Sequence, residues 1–119
     1  MSMHAHHGGP SDLGTTKSGL DPTVAAALAY LLGFVSGILF YIVEKDNPFV
    51  RFHGLQSTIF FGGLFLIVAV LHQIPILGFI LNFILLMAAF AVWLFLMIKA
   101  SQGIAFKLPF IGDLAERNL

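Results

Sequence analysis

Two long stretches without charged residues dominate the pattern of hydrophobic and polar positions along the chain. No Asp, Glu, Lys or Arg occurs in residues 22–43 or in residues 52–98. A transmembrane helix needs about 20 apolar residues, because each residue adds about 1.5 Å and the hydrocarbon core is about 30 Å thick. The first stretch therefore predicts one membrane span, and the second, which is about twice as long, predicts two.

The same start signal occurs twice along this pattern. Asp21 and Asn47 can cap free amide groups, and each precedes a proline that fits the first turn of a helix. Pro75 is the only helix breaker in the second apolar stretch, so a tight turn is expected there. The sequence therefore predicts an all-α membrane protein. Its three transmembrane helices would lie at about residues 22–43, 48–71 and 76–98, with short loops between them.

The two ends of the chain have different compositions. Residues 1–20 are rich in Gly, Ser, Thr and His, and they predict a disordered tail before a membrane domain at residues 21–119. After the last span, Phe110, Ile111 and Leu114 can share one face of a short helix. This pattern is compatible with an amphipathic helix on the membrane surface, and the alternative is a partly ordered polar tail.

The distribution of positive charge predicts a topology. Three spans would leave Lys17 alone on one side of the membrane. The other five cationic residues would lie on the opposite side: Lys45, Arg51, Lys99, Lys107 and Arg117. Since positive residues accumulate on the cytoplasmic side, we expect a multi-pass protein of a prokaryotic plasma membrane with an outer amino terminus and a cytoplasmic carboxyl terminus.

Composition supports lipid as the main partner. Hydrophobic residues make up 58% of the 119-residue chain and charged residues only 10%, and a water-soluble domain of this size could not bury so much apolar surface. Clustered Lys and Arg, which nucleic-acid binding requires, are absent, so we expect no nucleic-acid partner. The chain has no Cys, which excludes a disulfide framework and thiolate metal ligands.

Small residues at four-residue spacing predict close helix packing, because lipid provides no hydrophobic drive between helices. The first helix carries Ala25, Ala29, Gly33 and Gly37, and the second carries Gly54, Thr58 and Gly62. We expect these stripes to bring the two helices, or copies of the protein, into close contact.

Polar residues within the spans suggest further links. Ser36 lies at a depth that matches Gln56 and Ser57, so hydrogen bonds across the first hairpin are expected. For Asn82, only His72 or Gln73 is an evident partner. Trp93 near the end of the third helix is typical of an interfacial anchor.

Candidate catalytic and metal-binding residues are few. His53 and Ser57 share a helix face, but no residue that would orient the imidazole is evident, and no nucleophile elbow surrounds the serine. His53 and His72 are about 28 Å apart along one helix, too far to share a metal. The tail residues His4, His6 and His7 form only a weak metal motif. We therefore predict no catalytic residue, no metal site, no cofactor and no enzymatic activity.

The richest polar cluster follows the first span. Its candidate functional or docking residues are Glu44, Arg51, His53, Gln56 and Ser57. Such charges also serve simply to anchor helices at a membrane surface. However, Arg51 and His53 lie among large apolar residues, so the two side chains cannot both face water.

Two motifs resemble a known family. The run FVRFHGLQS at residues 49–57 and the run KLPFIGDLAE at residues 107–116 are similar to motifs of a widespread family of small bacterial and archaeal membrane proteins of unknown function. That family is grouped with the Tic-twenty component of chloroplast protein import. Gly54 stands where the family more often has alanine. The resemblance implies that the two motifs belong together, on the side predicted to be cytoplasmic.

The function predicted from the sequence is association within a membrane. Small-residue stripes and a polar rim without a catalytic set favour a protein that associates with itself or with a larger membrane complex. The alternative is an oligomeric channel or transporter with a path lined by Ser36, Gln56, Ser57 and Asn82. No charged residue lies in the core of a span, whereas ion pathways commonly contain one.

Overall fold

The computed structural model describes residues 13–119, which form five α-helices and no β-strand. These are α1 (Pro22–Leu31), α2 (Phe34–Val43), α3 (Pro48–Leu71), α4 (Leu77–Ser101) and α5 (Ile111–Arg117). The prediction of an all-α fold is confirmed. Two of the helices, α3 and α4, are long and apolar enough to cross a membrane.

The α3 and α4 helices follow the sequence pattern closely. The Asn47 side chain accepts a hydrogen bond from the Val50 amide and caps α3, with Pro48 in the first turn. The chain turns at residues 72–76, as predicted, and α4 returns antiparallel to α3. Asn82 of α4 donates to the Val68 carbonyl, rather than pairing with His72 or Gln73.

The prediction of one continuous helix over residues 22–43 is wrong. Asp21 and Pro22 begin α1 as expected, but the helix ends at Leu31 and a second helix begins at Phe34. Gly33 between them has a φ of 65°, a left-handed conformation that favours glycine. Ser36 stabilises the break: its hydroxyl accepts from the Leu32 amide and donates to the Ala29 carbonyl, both at 3.0 Å.

The break folds α1 and α2 into a helical hairpin beside α3. Near the start of α1, Ala25 and Ala26 share a core with Phe49 of α3. Near its end, Tyr30 contacts His53 and Gln56 of α3. The α2 helix then runs back toward the start of α3, and its Gly37 packs against Gly54. The fold therefore has two long helices and a short hairpin where three transmembrane helices were predicted.

The hairpin places both of its ends at the same end of the molecule. The backbone amides of Lys17 and Ser18, before α1, donate to the carboxylate of Glu44, after α2, and Lys17 forms an ion pair with Asp46. All six Lys and Arg residues of the chain thus lie at the end where α3 begins and α4 ends. Lys17 therefore lies beside the loop at residues 44–47, and not at the opposite end of the molecule as three full spans would require.

Part of the predicted disordered tail is packed. Leu13 is buried in the main core, and the Asn47 side-chain amide donates to the carbonyls of Leu13 and Thr15. Residues 13–20 are therefore attached to the loop between α2 and α3. The predictions about residues 1–12, including His4, His6 and His7, lie outside the described residues.

The chain after α4 returns along α3. The Tyr41 hydroxyl of α2 donates to the Asn118 carbonyl just after α5. At the other end of α5, Ile111 shares an apolar cleft with Ile59, Phe60 and Gly63 of α3. The predicted carboxyl-terminal helix is confirmed as α5, with Ala115 buried and Leu114 exposed.

The same local motif begins α4 and α5. Pro75-Ile76 and Pro109-Phe110 each form a three-residue turn, in which the following amide donates to the proline carbonyl at 2.6 Å and 2.7 Å respectively. Ile76 has a φ of 61° and Phe110 a φ of 64°, a rare and strained conformation for residues with a β-carbon. Both side chains are exposed, by 79% and 87%, so each strained turn holds a large apolar side chain outward.

Candidate functional site

A buried polar network joins the hairpin to α3. The Tyr30 hydroxyl of α1 lies 2.5 Å from Nδ1 of His53 and 2.9 Å from the side-chain nitrogen of Gln56. All three side chains are fully buried, and the His53 ring is also surrounded edge to face by Tyr30, Phe49 and Phe52. Polar side chains in such a position must satisfy one another, because unpaired groups are costly to bury.

The direction of each hydrogen bond follows from the chemistry of the groups. The Gln56 amide nitrogen can only donate, so the Tyr30 oxygen accepts from it. The single Tyr30 proton is then left for Nδ1 of His53, which must accept and leaves the proton of a neutral ring on Nε2. That Nε2 is buried without a well-aligned partner, and the Ile104 backbone is the polar group beside the ring. The network thus ends at the segment between α4 and α5.

Gln56 fastens this segment to α3. Its nitrogen donates to the Phe106 carbonyl and its oxygen accepts from the Leu108 amide, both at 2.9 Å. Residues 104–110 are not helical, so their backbone groups need partners away from water. One side chain therefore joins the two motifs at residues 49–57 and 107–116, and this confirms the expectation that they belong together.

Side-chain hydrogen bonds from Trp93 and Ser57 hold the turn of the hairpin. The Trp93 indole of α4 donates to the Tyr30 carbonyl at 2.6 Å, and the Ser57 hydroxyl donates to the Gly33 carbonyl at 3.0 Å. The Tyr30 carbonyl also accepts the Gly33 amide, and the Gly33 carbonyl also accepts the Gly37 amide, so the two side chains add second hydrogen bonds at the end of α1. Trp93 thus lies at the tip of the hairpin, where an anchor at the end of α4 was predicted. Ser36 bonds within the turn, and no bond joins it to Gln56 or Ser57.

A clamp holds the residues before α1. Burial acts to raise the pKa of the Glu44 carboxyl, but hydrogen bonds from Ser18 and Lys17, together with the Lys17 charge, outweigh it and lower that pKa. Glu44 is almost fully buried, 1% exposed, and both of its oxygens accept backbone amides. The loop at residues 44–47 therefore fixes the entry of the chain into the hairpin.

The clamp should open in acid. Because the pKa of Glu44 is lowered from 4.5, its contribution to stability is present above that value and is lost as the pH falls through the lower, folded value. A spin label at Thr15→Cys should therefore become more mobile with acidification. In Glu44→Gln, which does not titrate, label mobility should not depend on pH in that range. Equal pH profiles for the two proteins would contradict the assignment.

The predicted docking cluster is mostly interior. Glu44, His53, Gln56 and Ser57 are buried, and Arg51 is half-buried. The Arg51 guanidinium lies over the Tyr41 ring, 4.6 Å from its centre. Its Nη2 also donates a hydrogen bond to the Tyr41 hydroxyl at 2.9 Å. These side chains hold the chain together and do not form an exposed patch.

The predicted packing residues divide into four groups. Ala25 and Ala29 are fully buried on α1. Gly37 and Gly54 bring α2 and α3 together so closely that a β-carbon on either would lie under 3 Å from the backbone oxygen of the other, and Thr58 bonds within α3 to the Gly54 carbonyl. Gly33 forms the turn. Gly62 has no close neighbour, since an added β-carbon would meet nothing within 4 Å.

Acidic side chains in the described residues have partners in the chain. Asp21 caps α1 and Asp46 pairs with Lys17. Lys107 pairs with Glu116 at 3.1 Å and Asp113 at 3.4 Å, and these two partners hold the pKa of Lys107 above its ordinary value. Within residues 13–119, no three His, Asp or Glu side chains are grouped closely enough to hold a metal ion.

Sequence reasoning missed three residues of this site. The sequence predicts a helix cap for Asn47 and a membrane anchor for Trp93, and it assigns no role to Tyr30. For Tyr30 and Trp93 a signal is available, because each is an amphipathic side chain within a strongly apolar stretch. Such residues are retained inside a membrane mainly where they bond to protein.

Comparisons with known proteins agree on a membrane family. The chain is 49% identical over 105 residues to a UPF0132 membrane protein of Methanocaldococcus jannaschii, covering 88% of this chain and 94% of that protein. A UPF0132 membrane protein of Archaeoglobus fulgidus is 46% identical over 96 residues, with 81% and 93% covered. No solved structure matches the chain. The profile of the magnetosome magnetite crystal formation protein family matches residues 20–115. The chain therefore belongs to that family.

Proposed function

We propose that the protein works inside a prokaryotic plasma membrane by association, with copies of itself or with other membrane proteins, and without catalysis. One observation carries this proposal. The polar side chains of the site bond to the chain's own backbone, whereas the apolar outer surfaces of α3 and α4 are left open. Phe65, Leu66, Phe79 and Phe83 are each exposed by more than 60% on these two helices.

The proposed topology has two transmembrane helices, with both termini in the cytoplasm. The α3 and α4 helices would cross the bilayer, and the α1–α2 hairpin would enter it from the side of the termini. This arrangement would place all six cationic residues on the cytoplasmic side, in agreement with the positive-inside rule. The turn at residues 72–76, which carries no charged residue, would be the outer loop.

The family description names magnetite crystal formation, while the archaeal relatives are named only as membrane proteins. We propose that the shared role is at the membrane, and that Glu44 holds the chain's own backbone rather than a mineral surface. The carboxylates of Glu44, Asp113 and Glu116 are engaged by the chain's own amides and by Lys107. The relation to the Tic-twenty component, which would place the association in a larger complex, stays a prediction.

The channel alternative gains no specific support. Ser36, Gln56, Ser57 and Asn82 each donate to a carbonyl of their own chain. Their hydrogen-bonding groups are therefore used to satisfy the backbone.

Gly62→Leu tests the association. Gly62 has open space around it, so leucine should fit the single chain but should hinder close approach by a second helix. We expect association in lipid nanodiscs to weaken by roughly fivefold to tenfold, about 1 to 1.4 kcal/mol. Native mass spectrometry over a range of protein concentrations measures this change.

Ala88→Leu is the matched control, because Ala88 is an exposed small residue on α4. Its oligomer distribution should stay that of the original protein. A strictly monomeric original protein would overturn the proposed association. An unchanged distribution in Gly62→Leu would remove this face of α3 from the interface.

A further inference from the structure

The hairpin occupies only one half of the thickness that α3 crosses. The α1 and α2 helices have 10 residues each, or about 15 Å of length, half of a hydrocarbon core of about 30 Å. Their tip lies beside the middle of α3. Phe34 meets Phe65, with 6.5 Å between ring centres, and a β-carbon at Gly33 would contact Phe61.

The carboxyl-terminal segment occupies the same half. It leaves the end of α4, bonds to Gln56 through Phe106 and Leu108, and reaches the level of Phe60 at Ile111. It then returns, and the carbonyl of Asn118 accepts from Tyr41 near the end of α2. No described segment other than α3 and α4 accompanies Val70 or Phe79 in the opposite half.

The two halves therefore differ in cross-section. The half near the termini contains α1, α2, the first part of α3, the last part of α4 and the segment with α5, whereas the opposite half contains α3 and α4 alone. A helix about 10 Å across occupies about 80 Å². The first half thus displaces more than about twice the area of the second.

We infer that the protein is a membrane wedge that prefers a bilayer curved so that the leaflet on the side of the termini is convex. A convex leaflet has room for the larger cross-section, and the narrow half fits the compressed leaflet opposite. The inference rests on the proposed membrane placement and does not require self-association.

Charge and exposure favour the same leaflet. Lys17 and Lys107 are paired with carboxylates, while Lys45, Lys99 and Arg117 lie at the same wide end, where they can attract anionic headgroups. Phe110, 87% exposed at the strained turn before α5, would insert its ring among the acyl chains of that leaflet. Because Phe110 precedes Ile111, which lies at the level of Phe60, this ring adds to the cross-section of the half that contains the hairpin.

Membrane tubes pulled outward from giant vesicles test the inference. Vesicles of phosphatidylcholine and phosphatidylglycerol would contain the full chain, which has no Cys of its own. An impermeant dye on Thr15→Cys reports molecules with termini outward, and the same dye on Gln73→Cys reports the reverse orientation. We expect the first population to be enriched on narrow tubes by about twofold, and the second to be depleted by a similar factor. Equal distribution of both populations, or equal enrichment of both, would overturn the wedge.

The repeated turn motif supplies matched variants. Phe110→Gly removes the inserted ring and also relieves the backbone strain, so loss of folding is not expected. We expect it to reduce the enrichment of the termini-outward population. Ile76→Gly makes the same change at the narrow end and should not reduce it. An equal reduction by both variants would count against an insertion specific to the wide leaflet.

Gly62→Leu separates this inference from the proposed association. Enrichment that persists in a monomeric Gly62→Leu protein supports a wedge formed by the single chain. Intact oligomers without orientation-dependent enrichment would overturn the wedge and leave the association standing.

Discussion

Gly33→Leu should move the residues before α1 to the opposite side of the membrane in a large fraction of molecules. Gly33 has a φ of 65° and a ψ of −134°, and a leucine held there costs about 1–3 kcal/mol. Residues 22–43 are apolar and long enough for a complete span, so a continuous helix is the available alternative. The turn would be replaced by a third transmembrane helix.

An impermeant maleimide checks this result by labelling Thr15→Cys. Labelling of intact cells and of inverted membrane vesicles shows on which side of the membrane the cysteine lies. Gly19→Leu is the matched control. Gly19 also has a positive φ, 81°, but it lies outside the turn and has open space around it, so the sidedness of the label should not change. A Gly33→Leu protein with the labelling pattern of the original would show that the tertiary contacts of the hairpin outweigh the strain at its turn.

Gln56→Leu should release the carboxyl-terminal segment from α3. The variant keeps a side chain of similar size but leaves the Phe106 carbonyl and the Leu108 amide without partners. Each unsatisfied buried group costs about 1–3 kcal/mol, so we expect a loss of roughly 3 kcal/mol in the docking free energy. Unlike a change at the turn, this one leaves the α1–α2 hairpin in place.

This docking can be measured by crosslinking Tyr41→Cys in α2 to Asn118→Cys at the end of the chain. A bifunctional maleimide can span the length of the replaced tyrosine side chain. The crosslink should form in the parent protein and fall strongly after Gln56→Leu. Tyr30→Phe is the control, since it removes the hydroxyl that joins Gln56 to His53 and leaves the two backbone bonds intact. An equal loss of crosslinking in Tyr30→Phe and Gln56→Leu would contradict this assignment. The Tyr30 hydroxyl, and not the bonds from Gln56 to the Phe106 and Leu108 backbone, would then be the main contribution to docking.

The parts of the fold that sequence predicts are those with a local cause. Asp21 and Asn47 cap helices followed by proline, and Pro75 ends one apolar run and starts another. The break at Gly33 has no comparable local signature. Glycine is common in membrane helices, and the same apolar run satisfies either one full span or two helices of half the length. The choice is made by Trp93, Ser57 and Ser36, whose bonds to the turn are visible only in three dimensions.

The break at Gly33 also changes where Lys17 lies in the fold. An odd number of spans places Lys17 opposite the other cations, while a hairpin returns the chain and places it beside Asp46. The sequence singles out His53 and Gln56, but not the Tyr30 hydroxyl that bonds to both. Gln56 and His53 were recognised beside a charged loop, yet their partners are more than 20 residues away in sequence, and no spacing rule connects such distant positions.

The turn at residues 72–76 has a consequence for how the chain is made. During synthesis, α1 and α2 emerge first, and neither is long enough to cross a bilayer alone. In the proposed topology, α3 and α4 follow as a helical pair and the turn between them is translocated; this turn contains no Asp, Glu, Lys or Arg. Insertion would then carry no formal charge across the hydrocarbon, the step that is most costly for a nascent membrane protein.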